Sequence, residues 1–384
     1  MSKNSLRVGL VATVAAISLL GAGVAPAAGQ EPGSVISAQA RPAGWHGMDR
    51  GSVVEYWTTD SAGNAQPASG SLFLPAGDAP ATGWPIIAYD HGTSGSGMHC
   101  GGQADPELAP LPMMRAAEDR LIKRMVDAGY AVVAPDYLGL GRFDTGPHPY
   151  LEVRSEATAT IDLVRAARAA NGDLSRTWSV TGVSQGGHAA LSTASVQASY
   201  APELDFRGTA TIDPASDVEK ILPLIGPSMP KLEVFASATS FVVSILAGLR
   251  AVNPDANVDS YLTPRGKEIV DAGATQCIDE LLTIGKGLAP ADILARPLEG
   301  LRGPLADYMM LPTTGYRDPV FLSINVADTI VPSPLHAALV AQLGLGGVDQ
   351  QVVLGNGQHG SVSPDQLAAF DGFLARINAA PPQR

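Results

Sequence analysis

The sequence predicts an α/β protein built around a mostly parallel, eight-stranded sheet that packs against helices. Segments with the character of strands alternate along the chain with segments of helical character, which is typical of a parallel sheet covered by helices. Several strand segments are continuously apolar, as expected for strands buried on both faces. A glycine-bounded turn also joins one strand directly to the helix after it.

The strands and helices follow each other in a regular order, and only residues 28–50 before them are expected to lie loosely on the surface. A turn at residues 64–69 separates the first two strands. The predicted strands are 52–59, 70–75, 85–89, 130–135, 178–183, 207–212, 320–326 and 350–354. The clearest helices outside the insertion described below are 113–128, 155–170, 334–343 and 364–377.

The turn between strand 178–183 and the next helix carries a G-x-S-x-G sequence at residues 182–186. A serine on so sharp a turn has a strained backbone, so its neighbours two residues away must be nearly without side chains, as Gly182 and Gly186 are. The Ser184 hydroxyl is then exposed at a helix N-terminus, where negative charge is favoured. Chance occurrence in a chain with 42 glycines is the alternative. The flanking strand and helix favour a nucleophile elbow, and hence an α/β-hydrolase fold.

The first 27 residues are predicted to be a secretory signal peptide. Lys3 and Arg7 precede an apolar run at residues 8–24, and an A-x-A cleavage signal ends at Ala27. An N-terminal membrane anchor is the alternative. Removal of residues 1–27 changes the formal net charge from −12 to −14, so the mature protein is expected to be acidic and secreted, with possible association with the cell envelope.

The alternation of strands and helices is interrupted after the sixth strand. We therefore divide the mature chain into a first part of the hydrolase core (28–213), an inserted helical cap (214–317) and a last part of the core (318–384). An apolar helix at residues 232–249 lies in this cap. It either packs on the core of the cap or lines a pocket for an acyl chain.

The composition argues against several classes of function. The chain is acidic and has no basic cluster, so nucleic acid is not expected as a partner. It has no Cys/His cluster with metal spacing and no glycine motif for a nucleotide, so we expect neither a metal nor a cofactor. We expect a monomer whose partner is a small-molecule or lipid ester.

The chain contains two cysteines, Cys100 and Cys277. In an oxidising compartment an isolated pair favours a disulfide over two free thiols. Two buried thiols, or one reactive thiol, are the alternatives. Neither cysteine lies on a turn that resembles a nucleophile elbow, so a cysteine nucleophile is not expected.

A serine nucleophile needs a base within hydrogen-bond reach and a carboxylate that orients the base. Three histidines follow Ser184 in the chain. His188 lies on the helix that leads away from the elbow and is predicted to be structural, and His336 lies early in another helix. His359 lies in a glycine-rich loop just after the last strand, so we predict His359 as the base.

The acid in this fold follows the penultimate strand. Asp328 occupies that place and is predicted to be the acid, although an aspartate that caps a turn before Pro332 is the alternative. Asp213, at the end of the preceding strand, is the reserve candidate. Asp136 is predicted to be structural.

Attack on a carbonyl carbon produces an oxyanion, which needs preorganised hydrogen-bond donors. One donor is predicted to be the N–H of Gln185, directly after the nucleophile. The other is expected from the glycine-rich loop after the third predicted strand, and we choose the N–H of Thr93, with Asp90 or Gly92 as alternatives.

Five segments together resemble the secretory lipase family, which comprises α/β hydrolases of the yeast lipase A type with actinobacterial relatives. They are residues 89–93 (YDHGT), 136–141 (DYLGLG), 182–188 (GVSQGGH), 327–332 (ADTIVP) and the loop around His359. The resemblance covers about residues 45–378. It implies a triad of Ser184, Asp328 and His359, a helical cap, and carboxylic ester substrates that are often acylglycerols. It also implies that a Cys100–Cys277 disulfide joins the oxyanion-side loop to the cap.

These observations together predict a secreted serine carboxylic-ester hydrolase, a lipase or esterase that acts on triacylglycerols or shorter acyl esters through an acyl-enzyme. Action at a lipid–water interface is compatible with this prediction. The alternatives are a serine peptidase or an acyltransferase on the same fold, and a non-catalytic binding module. No charged anchor for a peptide terminus is recognisable, and all three triad positions are filled, which disfavours the first and the last.

Overall fold

The computed structural model of the protein describes residues 29–230 and 236–379. The predicted signal peptide and the start of the predicted helix 232–249 lie outside the described residues. The strands are β1 (Val35–Ala40), β2 (Gly51–Thr59), β3 (Ala65–Phe73), β4 (Trp84–Asp90), β5 (Ala131–Pro135), β6 (Leu174–Val183), β7 (Asp205–Ile212), β8 (Val320–Asn325) and β9 (Gln350–Gly355). The α-helices are α1 (Pro112–Asp127), α2 (Val153–Ala170), α3 (Gln185–Tyr200), α4 (Val218–Ile221), α5 (Ala236–Val252), α6 (Pro264–Gly273), α7 (Ile278–Gly285), α8 (Pro290–Ile293), α9 (Arg302–Met309), α10 (Ser333–Leu345) and α11 (Pro364–Ala379).

One sheet of nine strands forms the centre of the described chain, in the order β1-β2-β3-β5-β4-β6-β7-β8-β9. The six neighbouring strands β5, β4, β6, β7, β8 and β9 are parallel to one another. At the other end of the sheet β1, β2 and β3 pair antiparallel, and β3 pairs antiparallel with β5. The predicted mostly parallel α/β sheet is confirmed, and the predicted count of eight strands is one too few.

The additional strand, β1, lies in the segment that was predicted to lie loosely on the surface, so that prediction is wrong. β1 pairs antiparallel with β2 at the edge of the sheet, and most of its side chains are exposed. The Ser37 hydroxyl donates to the Glu55 carboxylate at 2.7 Å. An edge strand of this kind is stabilised by its backbone pairing rather than by burial, so its sequence lacks an apolar pattern.

The predicted turn at residues 64–69 is also wrong. β3 already begins at Ala65 and pairs along its whole length with β2, with Pro67 opposite Trp57. The turn lies earlier, where the Asp60 carboxylate accepts the N–H groups of Ala62 and Asn64 at 3.0 and 2.8 Å. Polar, proline-containing residues were misread as a turn because this end of β3 is only partly buried.

The apolar strands have helices on both sides, which explains their continuous hydrophobicity. Ile86 of β4 packs with Val164 of α2 on one side of the sheet. The next residue, Ile87, packs on the other side with Ile122 of α1 and Phe373 of α11. Successive strand residues point to opposite faces, so both must be apolar when both faces are covered.

The chain between β7 and β8 forms the helices α4 to α9, which we call the insertion. The insertion has an apolar core of its own, which includes Leu246, Leu249 and Leu305 and extends to Tyr150 of the preceding core segment. α5 contributes Leu246 and Leu249 to this core, while its Phe241 faces the cavity described below. The helix therefore packs on the core of the insertion and also lines a cavity, while an acyl chain as the occupant of that cavity and the exact division into core and cap stay predictions. In the described ranges no helix combines the length and the apolar character needed to cross a membrane.

A disulfide joins Cys100, in the loop after β4, to Cys277 at the start of α7. The two Cα atoms are 5.3 Å apart although the residues are separated by 177 positions in the chain. Backbone hydrogen bonds continue the contact, from Ile278 N–H to Ser94 O and from Ser96 N–H to Gln276 O, both at 2.9 Å. The predicted disulfide is confirmed, and it attaches the insertion to the loop beside the nucleophile elbow.

Candidate active site

Ser184 lies between the end of β6 and the start of α3, as the G-x-S-x-G sequence predicts. Its backbone has φ 58° and ψ −118°, a conformation that L-residues rarely adopt. A Cβ atom on Gly182 would overlap the carbonyl of Gly186, and one on Gly186 would overlap the carbonyl of Asp90. The two glycines are therefore required by backbone contacts that hold the turn in its strained form.

Three residues from separate segments form a hydrogen-bonded row at this turn. The Ser184 Oγ lies 2.8 Å from His359 Nε2, and His359 Nδ1 lies 2.6 Å from Asp328 Oδ2. His359 belongs to the loop between β9 and α11, and Asp328 follows β8. The structure thus brings the predicted nucleophile, base and acid within hydrogen-bond reach of one another.

The Asp328 carboxylate is buried and surrounded by donors. Its Oδ1 accepts the N–H groups of Ile330 and Val331 at 2.8 and 3.0 Å, and its Oδ2 lies 3.0 Å from Nε2 of the buried His336. Burial alone would raise the pKa of Asp328, but the hydrogen bonds to His336 and His359 hold this pKa well below its usual range. The carboxyl therefore stays ionised at any pH at which a histidine can act as a base. His336 supports Asp328 and does not contact Ser184 among the described residues.

Asp213, the reserve acid, supports the loop that carries His359. Its Oδ2 accepts the N–H of Gly360 at 2.8 Å and an amide hydrogen of Asn325 at 2.7 Å. The same Asn325 amide donates to the carbonyl of Ser361 at 2.8 Å. Asp213 thus holds the backbone that directly follows His359, at Gly360 itself and, through Asn325, at Ser361.

Ligand atoms of Asp213, Asp328 and His336 lie within 4.8 Å of one another. However, the oxygens of both carboxylates already accept hydrogen bonds from N–H groups or face histidine nitrogens. A cation would have to displace these donors, so the donor set does not fit a metal site. We interpret the group as the hydrogen-bonded support of His359.

The described structure shows that Gly92, one of the alternatives for the second oxyanion donor, already has a hydrogen-bond partner. Gly92 N–H donates to Glu118 Oε1 at 3.0 Å and is therefore engaged. Within the described residues, neither the N–H of Thr93 nor that of Gln185 takes part in a hydrogen bond. Gln185 is the first residue of α3, where the helix dipole favours negative charge. These two amides are therefore free to donate, and their role as oxyanion donors stays a prediction.

Glu118 of α1 has a role that sequence reasoning missed. Its carboxylate accepts the Gly92 N–H and pairs with the nearly buried Arg115 at 2.7 Å. Burial raises the pKa of the Glu118 carboxyl, although Arg115 and the Gly92 N–H act in the opposite direction. Glu118 and Arg115 thereby fix the loop that presents Thr93. Nothing in the sequence of this highly charged helix distinguishes Glu118 from a solvated residue.

Replacement of Glu118 by alanine is expected to lower kcat by about tenfold to a hundredfold, less than the loss of an oxyanion donor itself. The Gly92 N–H would lose its acceptor and the loop with Thr93 would be less well positioned. Steady-state rates on a soluble ester measure the effect. Glu118→Gln keeps an oxygen for Gly92 and should recover most of the rate, and equal losses in both variants would contradict the positioning role.

A buried polar network holds the first turn of α3. Glu156 accepts a hydrogen bond from the side chain of Gln185 at 2.7 Å, and its other oxygen lies 3.1 Å from Nδ1 of His188. The Nε2 of His188 lies 3.0 Å from the carbonyl of Met309 in the insertion. Burial alone would lower the pKa of His188, but the hydrogen bond and the charge of Glu156 raise it. His188 thus links α3 to α2 and to the insertion.

Asp136 is buried away from this row. It accepts hydrogen bonds from the Ser69 hydroxyl and the Gln103 N–H, both at 2.7 Å. Burial raises the pKa of Asp136 to about 6. These contacts tie the loop after β5 to β3 and to the disulfide-bonded loop.

Ser184 and His359 open into a cavity of about 770 Å³. Its walls come from α1, α11, the insertion and the loops around the elbow. Apolar side chains that line it include Leu111, Met114, Leu121, Phe241, Leu282 and Leu367. A cavity of this size and character suits an apolar group attached to a reacting carbonyl.

The nine-stranded sheet, the elbow and the hydrogen-bonded row define the protein as an α/β hydrolase. The model of the family described as secretory lipase matches residues 110–285, which confirms the predicted resemblance and supports a hydrolase of the lipase and esterase type. None of the curated proteins matches the chain.

Solved structures share the fold over most of the chain. Candida antarctica lipase A in its closed state is 17% identical with a TM-score of 0.72, over 92% of this chain and 84% of that one. A putative hydrolase from Legionella pneumophila is 19% identical with a TM-score of 0.69, over 87% and 90%. The rice cell wall degrading esterase LipA from Xanthomonas oryzae is 20% identical with a TM-score of 0.66, over 91% and 98%. At these identities the likeness establishes the fold alone.

Proposed function

We propose that the protein is an exported serine hydrolase that cleaves carboxylic esters with an apolar acyl group. The observation that carries the proposal is the row of Ser184, His359 and Asp328, which opens on an apolar cavity beside two free N–H groups. The match to the secretory lipase model supports the same class of substrate.

In this proposal Ser184 Oγ attacks the ester carbonyl carbon while His359 Nε2 accepts the hydroxyl proton. The resulting oxyanion is stabilised by the N–H groups of Thr93 and Gln185, which need no rearrangement at the moment of reaction. Collapse of the tetrahedral intermediate breaks the C–O bond to the alcohol, which takes the proton from His359. Water, activated by His359, then attacks the acyl-enzyme in the same way and regenerates Ser184.

Asp328 acts through His359. By accepting from Nδ1, the carboxylate keeps the second nitrogen free to accept the serine proton, and its charge stabilises the imidazolium that forms. Both steps require an ionised carboxyl, which the lowered pKa of Asp328 provides.

Export is supported by the predicted signal peptide at residues 1–27, by the disulfide and by the secretory family that the chain matches. The insertion serves as a cap in this proposal, because Phe241, Ile278 and Leu282 form part of the cavity wall. An acyl chain that enters the cavity is then enclosed between the cap and α1.

The first test is the initial rate on p-nitrophenyl esters from two to sixteen carbons, with an emulsified triglyceride and an alkyl phosphonate label alongside. We expect ester turnover and stoichiometric labelling of Ser184. A peak at long chains with triglyceride cleavage indicates a lipase, and a peak at short chains indicates an esterase. The absence of both ester turnover and label would overturn the proposal.

A further inference from the structure

The cavity beside Ser184 extends along α1 to its C-terminal half. Leu121 and Arg124 of α1 and Leu367 of α11 line this cavity together with Ser184 and His359. One end therefore contains the reacting groups, and the other end lies at the contact between α1 and α11.

A second cavity of about 710 Å³ lies at the same contact, on the outer side. It is lined by Lys123 and Asp127 of α1 and by Asp371 and Leu374 of α11, and it shares Arg120 and Arg124 with the inner cavity. On α11 the residues Leu367, Asp371 and Leu374 are spaced by four and three positions, so they lie along one face of the helix. The two cavities therefore follow a single seam between the helices.

An ion pair lies on this seam, between Arg124, which lines both cavities, and Asp371, which lines the outer one. Arg124 Nε lies 2.9 Å from both carboxylate oxygens of Asp371, and Nη2 contacts Oδ2. The side chains are 45% and 38% exposed. An ion pair this exposed contributes little to stability, so it can part without harm to the fold.

We propose that the Arg124–Asp371 pair closes the far end of the acyl cavity and sets the length of acyl chain that the enzyme accepts. The inference rests on the proposed ester hydrolysis and assigns its specificity. The ester carbonyl lies at Ser184, the acyl chain runs between Leu121 and Leu367, and its terminal carbons meet Arg124. A longer chain must part the pair and enter the outer groove.

The test measures kcat/KM for p-nitrophenyl esters of increasing length with Arg124→Ala and with Asp371→Ala. The ratio of long-chain to short-chain kcat/KM should rise about tenfold or more in both variants, since each further buried methylene is worth a factor of about four in binding. The butanoate rate should remain near that of the native protein. An unchanged ratio in both variants would overturn the inference.

Two further variants separate the seam from its surroundings. Arg265 and Glu268 of α6 form an exposed ion pair that lines neither cavity, so Glu268→Ala should leave the ratio unchanged. Leu367→Trp should narrow the path before the pair and selectively lower long-chain rates while butanoate is still cleaved. If long chains are unaffected by Leu367→Trp, the acyl chain runs elsewhere and the inference is wrong. The absence of cleavage of esters of every length, together with the absence of phosphonate labelling, in the native protein would instead refute the proposed function.

Discussion

Replacement of Ser184 by alanine is expected to lower kcat for ester cleavage by roughly a millionfold, as when a serine nucleophile is removed from other triads. The variant lacks the Oγ that lies 2.8 Å from His359 Nε2, so no acyl-enzyme can form. The small residual rate would come from the Thr93 and Gln185 amides and from substrate binding. Burst kinetics and phosphonate labelling should both disappear, while the circular dichroism spectrum stays native.

A glycine variant provides the matched control for the fold. Ser184 has φ 58° and ψ −118°. This backbone conformation is strained for any residue with a Cβ atom, but glycine adopts it without strain. Ser184→Gly should therefore be as inactive as Ser184→Ala but more stable than it by about 1–3 kcal/mol in urea unfolding. Measurable burst kinetics in either variant would show that another residue is the nucleophile.

Replacement of Asp328 by asparagine is expected to lower kcat by about ten thousandfold. Asp328 Oδ1 accepts two backbone N–H groups, from Ile330 and Val331. The amide oxygen of the variant must take that place, so its NH₂ group faces His359 and donates to Nδ1. His359 then carries its proton on Nε2 and cannot accept the proton of Ser184. Steady-state kinetics on a soluble ester measure the loss.

Asp213→Asn is the comparison that tests which carboxylate is the acid. Asp213 accepts the N–H of Gly360 and contacts Asn325, but it makes no hydrogen bond to His359 among the described residues. This substitution should disturb the His359 loop. The resulting decrease in kcat should be at least about tenfold smaller than the decrease caused by Asp328→Asn. A greater loss in Asp213→Asn than in Asp328→Asn would reverse the assignment.

The errors in the predicted fold have one physical origin. β1 and the first half of β3 are strands because they pair with β2, not because they bury an apolar face. Their residues are polar, small or proline, which in isolation favour a loop or a turn. The buried strands were predicted correctly because burial on both faces leaves a continuous apolar run in the sequence.

The site was predictable to the extent that its chemistry depends on local sequence and on chain order. The glycines around Ser184 indicate a strained turn, and the places of Asp328 and His359 after the last two strands follow from the order of elements in the fold. The two cysteines could be paired because the chain has no others.

Only the tertiary structure decided the parts of the site that depend on contacts between distant segments. Glu118 reaches Gly92, Asp213 reaches Gly360, and Arg124 meets Asp371 at a separation of 247 residues. Charged residues on helices and loops are common at solvated surfaces, so their sequence carries no sign of a partner. The sequence by itself therefore determined the class of fold, the strained turn at Ser184 and the order of Ser184, Asp328 and His359 along the chain. The packing of α1 and α11 against the sheet determined how the loop with Gly92, the residue His359 and the cavity are held. The reason is that side-chain partners depend on proximity in space and not on proximity in the sequence.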